Sequence, residues 1–179
     1  MLSVGYDMYL KLLEEAVLEG TGQEKPPQKD CSVDLTVSAN IPDGFVPSGE
    51  QRMDLYRRMA AVETQEDADE LLDEIVDRFG DCPKSVLNLV DIALLRAKAS
   101  KAGISDIRQK EGHVLLTLRV VDFAAVSAAC GDKSMKGILM FSAGKVPMLS
   151  ARLRAGDDPL ALAEKVVGLY APAVNAPQK

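Results

Sequence analysis

Between Ser48 and Gly103 the chain is punctuated so closely that three consecutive helices are the reading that fits. Ser48 followed by Gln51, and Thr64 followed by Asp67, both have capping-box spacing, in which a hydroxyl accepts from a backbone N–H three residues on. Gly80 follows the last apolar residue of the second segment and is the expected helix stop, since glycine takes the left-handed conformation without strain. Pro83 suits the first turn of a third helix, where its missing N–H has no partner to lose. The spacing therefore predicts helices over "GEQRMDLYRRMAAV", over the acidic stretch from Thr64 to Gly80, and from Pro83 to about Ala102.

Beyond Gly103 the apolar period changes from that of a helix to simple alternation. "ISDIRQ" and "HVLLTLRV" are strand-like and flank Lys110-Glu111-Gly112, a hairpin signal. Asp122 caps a short helix, "FAAVSAAC", that ends at Gly131. "GILMFS" and "VPMLSARLR" flank Ala143-Gly144-Lys145, a second hairpin, and Asp158-Pro159 opens a last helix to about Val174. Upstream of the three helices, "CSVDLTVSANIP" alternates at Val33, Leu35, Val37 and Ala39 and reads as a strand. Residues 4–19 repeat apolar Met8, Leu12, Leu13, Ala16 and Val17 at helical spacing, and residues 20–30 are a polar linker rich in Gly and Pro. A helix starting so near the first residue suggests a piece of something longer. The element order predicts an α+β fold, N-terminal helices followed by mostly antiparallel hairpins with packed helices.

A chain of 179 residues suffices for one ordinary domain, and its hydrophobic and charged fractions predict a folded, soluble protein. No run of about 18 apolar residues predicts a membrane span, and no basic-then-apolar start predicts a signal peptide. Cys31, Cys82 and Cys130 are odd in number and lie far apart, which argues against a disulfide framework and a zinc site and for the cytoplasm. The single histidine, His113, follows Glu111-Gly112 and reads as an exposed turn residue rather than a catalytic base. "FSAGKVP" contains Gly-Lys but lacks the earlier glycine and the Ser/Thr of a phosphate-binding loop. "LYRRMA" and "LLRAKASKAG" are basic helical stretches without aromatic interleaving, and read as solvated faces.

The charge is unevenly placed. Residues 63–81 hold nine acids against Arg78 alone, a net of −8, while the rest of the chain is nearly neutral at +2. At about 100° per residue, Leu71, Leu72, Ile75, Val76 and Phe79 share one arc of this helix. Asp69, Glu70, Asp73, Glu74 and Asp77 share the opposite arc, with Arg78 at its edge. The apolar arc is expected to pack on the domain and the carboxylates to face away. Four readings fit such an arc: a solvated face, a metal cage, an acid–base site or a docking surface. A straight helix lacks the tight loop of a calcium site, and an open surface lacks the cleft that would desolvate one carboxylate of a catalytic pair. Like charges four apart, as in Asp69/Asp73, Asp73/Asp77 and Glu70/Glu74, each cost the helix a few tenths of a kcal/mol or about that, which a cationic partner would relieve.

The motifs in order are "GYDMYLKLLEEAV", a linker, then "IPDGFVPSGEQRMDLYRRMAAVETQEDADELLDEIVDRFGDCPKSVLNLVDIALLRAKASKAGI". This succession resembles the C-terminal domain of the bacterial transcription-repair coupling factor. Its Ile-Pro-Asp turn, Leu-Tyr-Arg-Arg, the acidic helix ending Asp-Arg-Phe-Gly and the long apolar helix carry the likeness over residues 4–104. Cys82 stands where the family usually has another apolar residue, and is a candidate reactive thiol only if a cation lies near. The resemblance implies a layout of residues 1–20 as a helix continuing from a missing motor module, 21–31 as linker, and 32–179 as an α+β domain. It implies a domain without catalysis or cofactor of its own, ATP and Mg belonging to a double-stranded DNA translocase motor elsewhere in the full protein. It implies docking on a UvrB-like module of the same polypeptide, which masks UvrA binding and restrains the motor until stalled RNA polymerase is engaged. By position in the motif, Glu74 and Asp77 would meet arginines of that module, with Arg78, Glu70 and Asp73 beside them. The alternative is a stand-alone interaction module whose acidic helix binds a basic partner.

Overall fold

The computed structural model describes residues 31–174. The helix expected over 4–19 and the linker over 20–30 lie outside the described residues. The chain divides into two compact units. One is the helical unit Thr36–Leu94. The other is a sheet unit formed by the segment ending at Leu35 and the chain from Leu95 onward.

The helical unit contains α1 (Gly49–Ala60), α2 (Gln65–Phe79) and the first part of α3 (Lys84–Lys101), which crosses the boundary after Leu94. The caps lie where the sequence places them. The Ser48 hydroxyl accepts from the Gln51 N–H at 3.4 Å. At α2 the full reciprocal box closes: the Asp67 N–H donates to Thr64 Oγ1 at 3.1 Å, and the Thr64 N–H donates to Asp67 Oδ2 at 2.8 Å. Gly80 ends α2, but not in the left-handed helical conformation expected of it. Its φ of 86° with ψ of −162° lies in the extended mirror region that is essentially reserved for glycine. The segment before α1 is tied down by side chains. Ile41 N–H donates to Tyr56 Oη at 3.0 Å, Arg52 donates to the Val46 carbonyl at 2.8 Å, and Asn88 donates to the Ser38 carbonyl at 2.8 Å. Met59, Ile75, Val86 and Leu89 are fully buried and form the aliphatic core of this unit.

The sheet unit holds β1 (Ser32–Asp34), β2 (Ile104–Lys110), β3 (His113–Leu118), α4 (Phe123–Gly131), β4 (Leu139–Ser142), β5 (Met148–Arg152) and α5 (Pro159–Val174). The five strands run in the order β1-β2-β3-β5-β4. Three pairings are antiparallel, as expected, and β1 pairs with β2 in parallel. The strand read over residues 31–42 is much shorter than expected. Only Ser32–Asp34 find a ladder partner, while alternate burial continues through Leu35, Ala39 and Ile41 without one. Alternation reports which side faces a core, and pairing needs a neighbour as well. The β2–β3 turn has positive φ at both Glu111 (49°) and Gly112 (74°), the requirement of a two-residue type I′ hairpin. Ile107, Val114, Leu116, Leu149 and Ala151 are fully buried on one sheet face, together with Ala163, Val166 and Tyr170 of α5. No described helix is long and apolar enough to cross a membrane.

Candidate functional site

The acidic helix α2 is built as an amphipath whose buried stripe is narrower than its sequence suggests. Ala68, Leu71 and Ile75 are buried, and Leu72 and Phe79 are half-buried. Val76, expected in the apolar arc, is 43% exposed. The stripe is centred on Leu71 and Ile75, so Val76 falls at its rim, about 100° from Ile75 and beside the carboxylates. Phe79 closes the stripe by packing on Phe45, with ring centroids 6.0 Å apart and planes at 56°. The Arg78 guanidinium lies 5.1 Å from the centre of the Phe79 ring, which holds it along the helix end.

The carboxylates divide into two groups. Glu70, Asp73 and Asp77 are exposed, and among the described residues no cation or hydrogen-bond donor reaches them. Asp69 is exposed and, among the described residues, accepts from the Gln65 side chain alone, at 3.0 Å. Glu74 differs from all of these. Arg58 of α1 grips it through two parallel bonds, Nη1 to Oε1 at 2.6 Å and Nη2 to Oε2 at 2.5 Å. Arg78, one turn along α2, adds a third contact to Oε1 at 3.1 Å. The Arg58 bonds, and secondarily that of Arg78, hold the Glu74 carboxyl down at about 2, so it stays ionised at any ordinary pH. Its side chain is 39% exposed and that of Arg58 37%, so the pair opens onto solvent.

Arg58 is the residue that sequence reasoning passed over. "LYRRMA" was legible as a basic stretch, but nothing local shows that its second arginine reaches a carboxylate 16 residues on. The pairing appears only when α1 and α2 lie side by side. Local charge follows from it. Arg58, Glu74 and Arg78 together carry +1, next to an open ridge of Glu70, Asp73 and Asp77 that carries −3.

Among the described residues no three His, Cys, Asp or Glu side chains converge to hold a metal ion. The Cys82 thiol is half-buried, and that burial, with the Asp81 charge beside it, pushes its pKa up; Cys130 is likewise raised by burial. Both thiols are therefore kept from the thiolate form that reactive cysteines need. His113 is partly exposed at the start of β3, its Nδ1 3.0 Å from the Glu111 carbonyl oxygen. The sheet unit has an open groove of about 580 Å³ lined by Lys101, Gly103, Val120, Asp122 and Phe123. Asp122 is occupied in capping α4, where its Oδ1 accepts from the Ala125 N–H at 3.0 Å.

Known proteins resemble this chain over much of its length. The family described as the TRCF domain matches residues 35–127, just over half of the chain. The transcription-repair-coupling factor of Bacillus subtilis (strain 168) is 37% identical over 117 residues, covering 65% of this chain and 10% of that protein. The protein of the same name from Staphylococcus aureus (strain USA300) is 33% identical over 110 residues, covering 60% of this chain and 9% of its own length. The chain thus spans about a tenth of the curated relatives it matches. Among solved structures, a crystal structure of the C-terminal domain of transcription-repair coupling factor superposes with a TM-score of 0.71. The match covers 81% of this chain and 91% of that one at 18% identity, and shows a shared fold.

Proposed function

Because this chain belongs to the TRCF domain family, we propose that it is the regulatory C-terminal part of a transcription-repair coupling factor acting in transcription-coupled DNA repair. In this reading it has no catalysis or cofactor of its own. It docks through α2 on a UvrB-like module of the same polypeptide in the cytoplasm. Docked, it masks UvrA binding and restrains an ATP-driven double-stranded DNA translocase until stalled RNA polymerase is engaged.

The observation that carries this reading is the open carboxylate ridge. Asp73 and Asp77 are one turn apart on the same exposed arc and lack a cation of their own among the described residues. Charges left unrelieved at i,i+4 spacing favour a basic surface that meets both. The placement also suits a latch. Exposed pairs contribute about 0–1 kcal/mol each and weaken with salt, so several of them hold a domain and still let it go.

The test is a titration of the 179-residue chain with the separately expressed UvrB-like module of a full-length factor. Binding is expected at low salt and is expected to weaken as the Debye length shortens from about 10 Å at 0.1 M to about 3 Å at 1 M. Affinity independent of ionic strength, or no binding at low salt, would refute the electrostatic latch.

A further inference from the structure

We propose that Arg58 competes with the docking partner for Glu74, so that full docking is an exchange of one guanidinium for another. This inference rests on the docking reading above and adds a brake to it that lies within the domain itself.

The acceptor positions of Glu74 are nearly filled. A carboxylate offers about four acceptor sites on its two oxygens. In the undocked domain Arg58 takes one on each oxygen, and Arg78 takes a second on Oε1. What remains is a single position on Oε2. An incoming arginine that binds with both of its nitrogens needs both oxygens, and so cannot seat while the Arg58 fork is closed. Arg78 is a lesser obstacle, since it makes one longer contact from the same helix. Both partners of the Arg58–Glu74 pair are more than a third exposed, so an approaching side chain can reach them without unfolding the unit.

The ridge therefore has two kinds of contact. Asp73 and Asp77 are available at once and attract a basic surface from a distance. Glu74 becomes available only when Arg58 lets go. The exchange also selects the chemistry of the partner. A planar guanidinium can replace the fork bond for bond, whereas a lysine ammonium offers only a point charge and leaves Arg58 the better ligand. An arginine opposite Glu74, as the family resemblance implies, is the side chain such an exchange suits. Arg58 is a tuning residue: it weakens the latch by the strength of the pair that has to be broken.

The experiment is a double-mutant cycle on the 179-residue chain, titrated at low salt with the separately expressed UvrB-like module. Arg58→Gln is expected to tighten docking by about two- to fivefold, the range that an exposed ion pair supplies. Glu74→Gln is expected to weaken docking, and Arg58→Gln is expected to have no effect in the Glu74→Gln background. Arg58→Lys keeps the charge, breaks the fork and should give a smaller gain of the same sign. It carries the test if thermal melting shows that the Gln variant is unfolded. Weaker or unchanged docking in the folded Arg58 variant would overturn the exchange, as would a gain that persists undiminished without Glu74. No binding by the wild-type chain overturns the docking reading, and the exchange with it. Binding that is lost in Asp73→Asn with Asp77→Asn, yet is indifferent to Arg58, overturns the exchange alone.

Discussion

Reversing Glu74 and Asp77 together to arginine in a full-length factor carrying this domain is expected to raise UvrA binding about 5- to 150-fold, the span of a typical coupling between two sites. Two effects add in this variant. Asp77→Arg replaces an open acceptor of the ridge with a cation that repels a basic partner. Glu74→Arg does more, because it sets a third guanidinium between Arg58 and Arg78, where one carboxylate now holds both. This edge of α2 would change from a +1 cluster beside a −3 ridge to a +3 cluster beside a −1 ridge. Asp77→Arg alone separates the two effects, since it leaves the clamp intact; it should release part of the restraint with little change in melting temperature. The readouts are UvrA affinity and basal ATP hydrolysis. If neither moves in the double variant, these two residues do not hold the domain shut.

Ile75→Ala is expected to destabilise the domain by about 2–5 kcal/mol, the range for removing a large aliphatic side chain from a packed interior. Ile75 is fully buried on the inner stripe of α2, one turn from buried Leu71 and one residue from Glu74. Denaturation with urea, followed by circular dichroism, measures the loss. The neighbouring Val76→Ala provides the contrast. Val76 is 43% exposed, so its truncation should cost far less, although sequence periodicity assigns both residues to the same apolar arc. Equal costs at the two positions would mean that the buried stripe is wider than described.

What was legible in the sequence follows from how local each feature is. The α2 capping box, the Glu111-Gly112 turn and the stop at Gly80 depend on a few adjacent residues, and all lie where the sequence places them. Gly80 shows the limit of that reading: a glycine was required there, but for an extended positive-φ conformation rather than a left-handed helical one. The order of elements, and so the α+β class, was equally legible. What was not legible depended on pieces meeting across the fold. The parallel pairing of β1 with β2 joins Val33 to Ile107, across the whole helical unit in sequence. The Arg58–Glu74 clamp joins two helices that periodicity reads one at a time. For the same reason the carboxylate arc looked uniform in sequence, and only the structure divides Glu74, already gripped, from Asp73 and Asp77, still open.

The measurement that bears most directly on the central claim is UvrA affinity of the full-length factor with and without residues 32–179. Weak binding is expected of the intact protein and strong binding once this domain is removed, with the difference shrinking as salt loosens the latch. Equal affinity for UvrA in the intact and truncated proteins would contradict that claim.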